Sequence, residues 1–341
     1  MLWNVYSTPG YARSQVLAEG VVFEAASLLV DVWTIEQHHE HRSPYRYSEL
    51  PRNGLGPPTG FTGMTWSGFR PSDDQQQYGY NVPVNMYAYA ALQRALELNR
   101  NIWHCDSFEK RATALAEGIR QGIEKWGIIK VDGVRTYALE VDGLGNNLTD
   151  YDDANVPSLL SIPLLGYPYD AEVYQATRER VLSSKNPLYF SGTHLKGVGS
   201  AHTRAGQVWP LALMVQGLTA STPEERAEML RLLLKTQCNN GLMHESVNAN
   251  DINACSREWF GWANSMLVAL VESSLGMDCS KAAEEQHKLN IAAQEKSNPS
   301  ELPRNGSPQD PAYFAGLLST IAYDKETLTA PAYVGLHANA M

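Results

Sequence analysis

The sequence predicts an all-α chain of antiparallel helix hairpins set side by side in a ring, with functional loops gathered at one end. Three observations predict it. Apolar residues recur at helical spacing in about eight segments. Strands and helices show no βαβ alternation. Long loops carrying polar and aromatic residues alternate with short polar connections. The 341 residues are enough for a large core in one domain or two.

The elements follow in order. Over residues 11–40, Val16, Leu17, Val21, Phe23, Ala26, Leu29, Val32 and Ile35 recur at helical spacing. Residues 41–72 carry five prolines among repeated Gly and Ser, so they read as loop. A loop this long in a compact domain is functional or disordered, and its tryptophan, phenylalanines and arginines argue against disorder. Residues 78–102 read as a helix begun near Pro83. Ser72-Asp73-Asp74-Gln75 ahead of it fits a capping box, which puts the two aspartates at a helix start. A helix at 107–126 precedes a β-hairpin at 128–143, turning at Asp132-Gly133. Further helices are expected at 155–165, 170–183, 205–219, 223–237 and 256–275. Thr222-Pro223-Glu224-Glu225 marks the clearest start: a threonine cap, proline first, acids in the first turn. Residues 1–279 read as one domain. Residues 280–341 read as a polar, breaker-rich tail, partly extended, with a helix-like stretch near 311–323.

Composition narrows the function. Net charge is −10 without local basic patches, which speaks against nucleic acid or an anionic membrane as partner. No run of eighteen apolar residues marks a membrane span, and the first residues show no secretory signal, so the sequence assigns no compartment. The four cysteines lack CxxC spacing. A Cys238–Cys255 bridge fits, but free buried thiols are the expectation. His38-His39-Glu40-His41 departs from the zinc-helix spacing and reads as a solvated helix end.

Four loop segments concentrate polar and aromatic side chains. TWSGFRPSDD holds Arg70, Asp73 and Asp74. DYDDANVPS holds Asp150, Asp152, Asp153 and Asn155, acceptors suited to sugar hydroxyls and spaced unlike an EF-hand. SSKNPLYFSGTHLKGVGSAHT holds His202. GLMHESVNAND holds His244 and Glu245, and REWFGWANS supplies Trp259, Phe260 and Trp262 as sugar platforms. Carboxylates on separate loops among aromatics suggest glycoside hydrolysis. One carboxylic acid protonates the leaving oxygen, and a second carboxylate activates water or attacks the sugar.

SGFRPSDD with YGYNVPVNMYA, then EVDGLGN, DDANVPSLLSIPLLGY, KGVGSAHT, MHES and WFGWANS occur in the order in which glycoside hydrolase family 125 carries them. The chain resembles that family over about residues 10–275, and its fungal, meiotically up-regulated branch most nearly. The resemblance implies an (α/α)6 barrel and an exo-acting, inverting α-1,6-mannosidase that uses no metal or other cofactor. The implied substrate is a mannose-containing oligosaccharide or N-glycan. It implies Asp73 or Asp74 as general acid and Glu245 as general base. Arg70, Asp152, Asp153, Asn155, His202 and His244 become candidate binders of the terminal mannose. The family's N-terminal region, with its ERKYE-like motif, has no counterpart here. The barrel is therefore expected to be incomplete on that side, with apolar helix faces left bare and low stability. The rival reading is an inactive, truncated family member acting as a glycan-binding or scaffold protein.

Overall fold

The computed structural model describes residues 16–276. The expected tail and the first residues of the 11–40 helix lie outside that range.

Seven helices of nine residues or more carry the described fold. Helix α1, Gly20–Glu36, packs on α3, Asp106–Gly122. Phe23 fixes that contact, with its ring 5.5 Å from Trp103 and 5.7 Å from Phe108. Helix α2, Val82–Leu98, pairs with α3 and buries most of its surface. Helix α4 is Ala171–Val181. Helices α6, Pro223–Leu233, and α7, Gly261–Leu275, pack on α5, Pro210–Leu218. The α6 start forms as its chemistry dictates: Thr222 Oγ1 accepts the Glu225 amide at 3.2 Å, with Pro223 in the first turn.

The strands are short and antiparallel. Strands β1, Tyr80–Asn81, β4, Glu140–Val141, and β5, Asn147–Leu148, form one sheet in the order β1-β4-β5. Strands β2, Ile128–Val131, and β3, Val134–Tyr137, pair from Val131↔Val134 to Ile128↔Tyr137. Their two-residue turn has both residues left-handed, Asp132 at φ 53° and Gly133 at φ 82°, a turn Asp-Gly suits. Strands β6, Tyr189–Ser191, and β7, Lys196–Val198, make a second two-stranded sheet. Strands β8, Gln207–Val208, β9, Ser246–Asn248, and β10, Asp251–Ser256, form the last, in the order β10-β9-β8. The sequence offers one hairpin; the structure adds three further small sheets.

Four local expectations are corrected. First, residues 155–165 form turns and a single 3-10 turn, Ile162–Leu164, rather than a helix. Asp152 takes the Leu159 and Leu160 amides, and Ser158 and Ser161 take each other's, so side chains satisfy the backbone in place of helical carbonyls. Second, Ser72 caps no helix. The cap of α2 is Asn81, whose Oδ1 accepts the Val84 amide at 3.0 Å. Third, the histidine cluster is a solvated end only at His41; His39 and Glu40 turn inward. His39 is buried, its ring stacked 3.4 Å from Trp66, and its nitrogens meet Glu36 at 2.5 Å and the Leu55 carbonyl at 2.7 Å. Glu40 pairs with Arg52 at 2.6 Å and accepts the Thr59 amide at 2.9 Å. The cluster thereby staples the 41–72 loop. Fourth, Cys238 and Cys255 are a disulfide, not free thiols.

Two apolar cores result. One joins α1–α4 and the sheet around β1; the other joins α5–α7 with β7–β9. Two helices remain apolar on faces that nothing among the described residues covers. On α1, Val21 is 68% and Leu28 64% exposed; on α7, Trp262 is 62% and Leu275 68% exposed. A helix apolar all round ordinarily lies buried.

Candidate active site

A cleft of about 390 Å3 opens between the two cores, within the range of small-ligand sites. Asp73 and Ser72 line it from one side, Asn155 and His202 from loops between, and Glu245, Arg257 and Trp259 from the other. Trp209, Phe260 and Trp262 complete the aromatic wall. A hollow of about 520 Å3 at the start of α6 holds no carboxylate among its lining residues and offers no comparable chemistry.

The loop bearing the aspartates is fixed from behind. Asn85 on α2 exchanges hydrogen bonds with the Thr65 backbone at 2.8 and 3.1 Å. Gly79 lies against the Trp66 ring so closely that a Cβ there would sit 2.3 Å from it. Residues 70–74 then close on themselves: the Arg70 amide donates to the Asp74 carbonyl at 2.8 Å, and the Asp73 amide to the Arg70 carbonyl at 3.0 Å. Asp73 takes the exposed tip of this turn, in left-handed conformation at φ 68°, a region aspartate tolerates. Asp74 sits lower. Ser72 Oγ donates to one of its oxygens at 3.1 Å, and His202 Nδ1 lies 3.4 Å from the other.

Arg70 faces inward. Its Nε donates to Glu140 at 2.5 Å and its Nη1 to the Tyr151 hydroxyl at 3.3 Å. Glu140 also accepts the Gln77 and Tyr78 amides, at 2.8 and 3.0 Å. Burial works against the Arg70 charge, but Glu140 outweighs it and holds the guanidinium pKa above its ordinary value. Arg70 thus braces the turn that carries Asp73 and Asp74.

The second side is built by β9 and β10. Glu245, just ahead of β9, accepts the Ser256 hydroxyl at 3.0 Å and pairs with Arg257 Nε at 3.2 Å. Both its oxygens therefore meet donors. His244 points behind the cleft, with Nδ1 2.5 Å from the Arg257 carbonyl and Nε2 3.2 Å from Asn240 Oδ1.

Among the expected site residues, Asp73, Asn155, His202 and Glu245 come together on the cleft, and Asp74 stands beside His202. Asp153 lies one layer back: it accepts the Asn155 amide and side chain at 2.9 and 2.8 Å and the Ser200 hydroxyl at 2.7 Å. Asp152 is fully interior, each oxygen holding a backbone amide, and burial pushes its pKa up to about 7. Glu140, Trp209, Ser256 and Arg257 carry the site as well, although each looked ordinary in sequence. Arg257, which opens the REWFGWANS segment, and Glu140, which opens EVDGLGN, left a trace.

Carboxylates from facing loops, a sugar-sized cleft and an aromatic rim define a site of glycoside hydrolase type. Residues 6–272 match the family described as metal-independent α-mannosidase, glycoside hydrolase family 125, and the chain belongs to that family. It is 39% identical over 208 residues to the meiotically up-regulated gene 157 protein of Schizosaccharomyces pombe, covering 60% of this chain and 40% of that one. It is also similar to a metal-independent α-mannosidase from Streptococcus pneumoniae, solved in a non-productive complex with α-1,6-mannobiose. That match has 42% identity and a TM-score of 0.73 over 76% of this chain and 63% of the other. The chain thus spans less than two thirds of either relative.

Proposed function

We propose that this chain is an exo-acting α-1,6-mannosidase that removes terminal non-reducing α-mannose from mannosides, with inversion and without a metal. The observation that carries the reading is the shared cleft of Asp73 and Glu245. Asp73, the aspartate that opens on the cleft, is the general acid and protonates the leaving oxygen. Glu245, held by Ser256 and Arg257, is the general base and takes a proton from the water that attacks the opposite face of the sugar. Inversion requires about 6.5–9.5 Å between the two carboxyl groups, room for that water. Asn155 and His202 bind the terminal mannose, while Arg70, Asp152, Asp153 and His244 hold the loops. Trp259 and Trp262 form the platform at the rim. The α-1,6 linkage is taken from the ligand of the Streptococcus pneumoniae enzyme.

The test is turnover of α-1,6-mannobiose by wild type, Asp73→Asn, Asp74→Asn and Glu245→Gln. Loss of about 100- to 10,000-fold is expected for Asp73→Asn and Glu245→Gln, as for other acid–base groups. A smaller loss is expected for Asp74→Asn. The reverse order for the two aspartates assigns the acid to Asp74. A second reading is a glycan-binding family member without activity. It predicts mannoside binding by the folded wild type with no turnover.

A further inference from the structure

The loop that presents Glu245 is tied at its base by the Cys238–Cys255 disulfide. Cys238 follows α6 and Cys255 lies on β10, 17 residues apart in sequence with Cα atoms 6.5 Å apart, a span disulfides bridge. What holds the Glu245 carboxylate follows directly after Cys255. Ser256 Oγ reaches one oxygen at 3.0 Å and Arg257 Nε the other at 3.2 Å, while the Ser256 carbonyl accepts the Glu245 amide at 3.3 Å.

This corner stands on backbone that needs outside support. Cys238 and Asn239 have φ of 41° and 64°, and Arg257 has φ of 50°, left-handed values that non-glycine residues adopt at a cost. The β9–β10 ladder supplies part of that support, pairing Cys255 with Val247 and Ser256 with Ser246, but its register shifts between Asp251 and Cys255, so the strand reaches the corner out of a regular ladder. Across the loop base, Asn239 Nδ2 donates to Asn253 Oδ1 at 2.9 Å and Asn240 Nδ2 to the Glu258 carbonyl at 2.9 Å. The disulfide is the covalent member of this set of ties.

We propose that Cys238 and Cys255 are positioning residues for the base: their disulfide sets the Ser256–Arg257 corner against Glu245, so that reduction weakens catalysis without removing substrate binding. The proposal rests on Glu245 being the base. A dithiol delivers two electrons and two protons, giving two thiols and its own cyclic disulfide. Oxidised glutathione reverses the change by thiol–disulfide exchange. A metal site is the competing use of the same residues, since ligand atoms of Cys238, His244 and Cys255 lie within 4.8 Å of one another. Zinc would need both sulfurs as separate thiolates about 2.3 Å from the metal. Both ring nitrogens of His244 are also taken up by the Arg257 carbonyl and Asn240.

The experiment compares non-reduced wild type, wild type in dithiothreitol, and the Cys238→Ser/Cys255→Ser double variant. Peptide mapping is expected to find the 238–255 cross-link in non-reduced protein, with no bound zinc. Misplacing a catalytic group by about 1 Å can cost on the order of 100-fold, so partial loosening is expected to lower kcat on α-1,6-mannobiose about tenfold. KM stays within about twofold, the split that separates positioning from loss of the fold. Oxidised glutathione restores the reduced wild type and not the double variant. Unpaired thiols on mapping, one zinc per chain, or unchanged kcat after complete reduction overturns the proposal. No turnover in either redox state overturns the reading of Glu245 as base and the proposal with it. Turnover equal in both states removes the clamp alone. Limited proteolysis between residues 239 and 254 adds a readout independent of activity: about tenfold faster cleavage after reduction supports the clamp, and equal rates overturn it.

Discussion

Replacing Glu140 by Gln tests how the acid-bearing turn is held. The Glu140 side chain is 0% and that of its partner Arg70 9% exposed, so this is a buried ion pair. Gln keeps an oxygen for the Gln77 and Tyr78 amides but turns an NH2 toward Arg70 Nε, donor against donor. The guanidinium then keeps only the Tyr151 hydroxyl at 3.3 Å and the face of its ring at 4.9 Å. Breaking a buried pair from one side destabilises by about 3–5 kcal/mol, a large part of the roughly 5–15 kcal/mol of a typical domain. Glu140→Ala also strands two amides, each adding about 1–3 kcal/mol where water does not reach. The double variant Arg70→Met/Glu140→Gln leaves no lone charge, keeps an oxygen for the two amides, and is expected to be more stable than either single variant. It should still lose activity, because the turn carrying Asp73 loses its brace. Urea unfolding at constant m reads the stabilities, and mannobiose turnover reads the brace. A loss under about 1 kcal/mol in Glu140→Gln, or a double variant weaker than both singles, would refute the reasoning.

Two further outcomes are expected. Asp152 has its folded pKa raised to about 7 from an ordinary value of 3.8. The folded chain therefore keeps a proton that the unfolded chain releases between about pH 4 and 7. The stability this contributes is complete below pH 4 and is lost as pH rises through 7, with a slope of up to about 1.4 kcal/mol per unit. Asp152→Asn should flatten the urea midpoint between pH 5 and 8, and a wild type already flat there contradicts the assignment. Separately, the bare faces of α1 and α7 should bind a hydrophobic dye in the native chain. Val21→Glu with Leu28→Lys should weaken dye binding at unchanged Tm; a wild type that melts in one ordinary transition and binds no dye would show those faces to be covered.

Sequence rules reached the parts of the fold decided locally. The helices around Phe108, Leu213 and Leu232 follow from apolar spacing, and the Thr222 cap and the Asp132-Gly133 turn follow from side-chain chemistry within a few residues. They failed where a distant partner decides. Ser72-Asp73-Asp74-Gln75 has capping-box chemistry, yet a bridge between Phe69 and Gln75 folds it into a turn and leaves the cap to Asn81. His39 looked solvated because its burial depends on Trp66, twenty-seven residues on. In the site, Asp73, Asn155, His202 and Glu245 were legible through polar, aromatic loop segments and their resemblance to a family. Ser256 was not, because a serine on a short strand carries no pattern of its own, and Glu140 stood in the EVDGLGN motif with no role attached to it. Asp152 and Asp153 read alike in DYDDANVPS, and only packing sets one fully inside and the other behind Asn155.

The most direct test of the account is proton NMR of α-1,6-mannobiose hydrolysis by the full chain in EDTA, read before the released sugar mutarotates. The account predicts β-mannose as the first product, undiminished by EDTA and abolished in Glu245→Gln. Release of α-mannose, dependence on a metal, or no turnover by the folded wild type would contradict an inverting, metal-independent mannosidase built on Asp73 and Glu245.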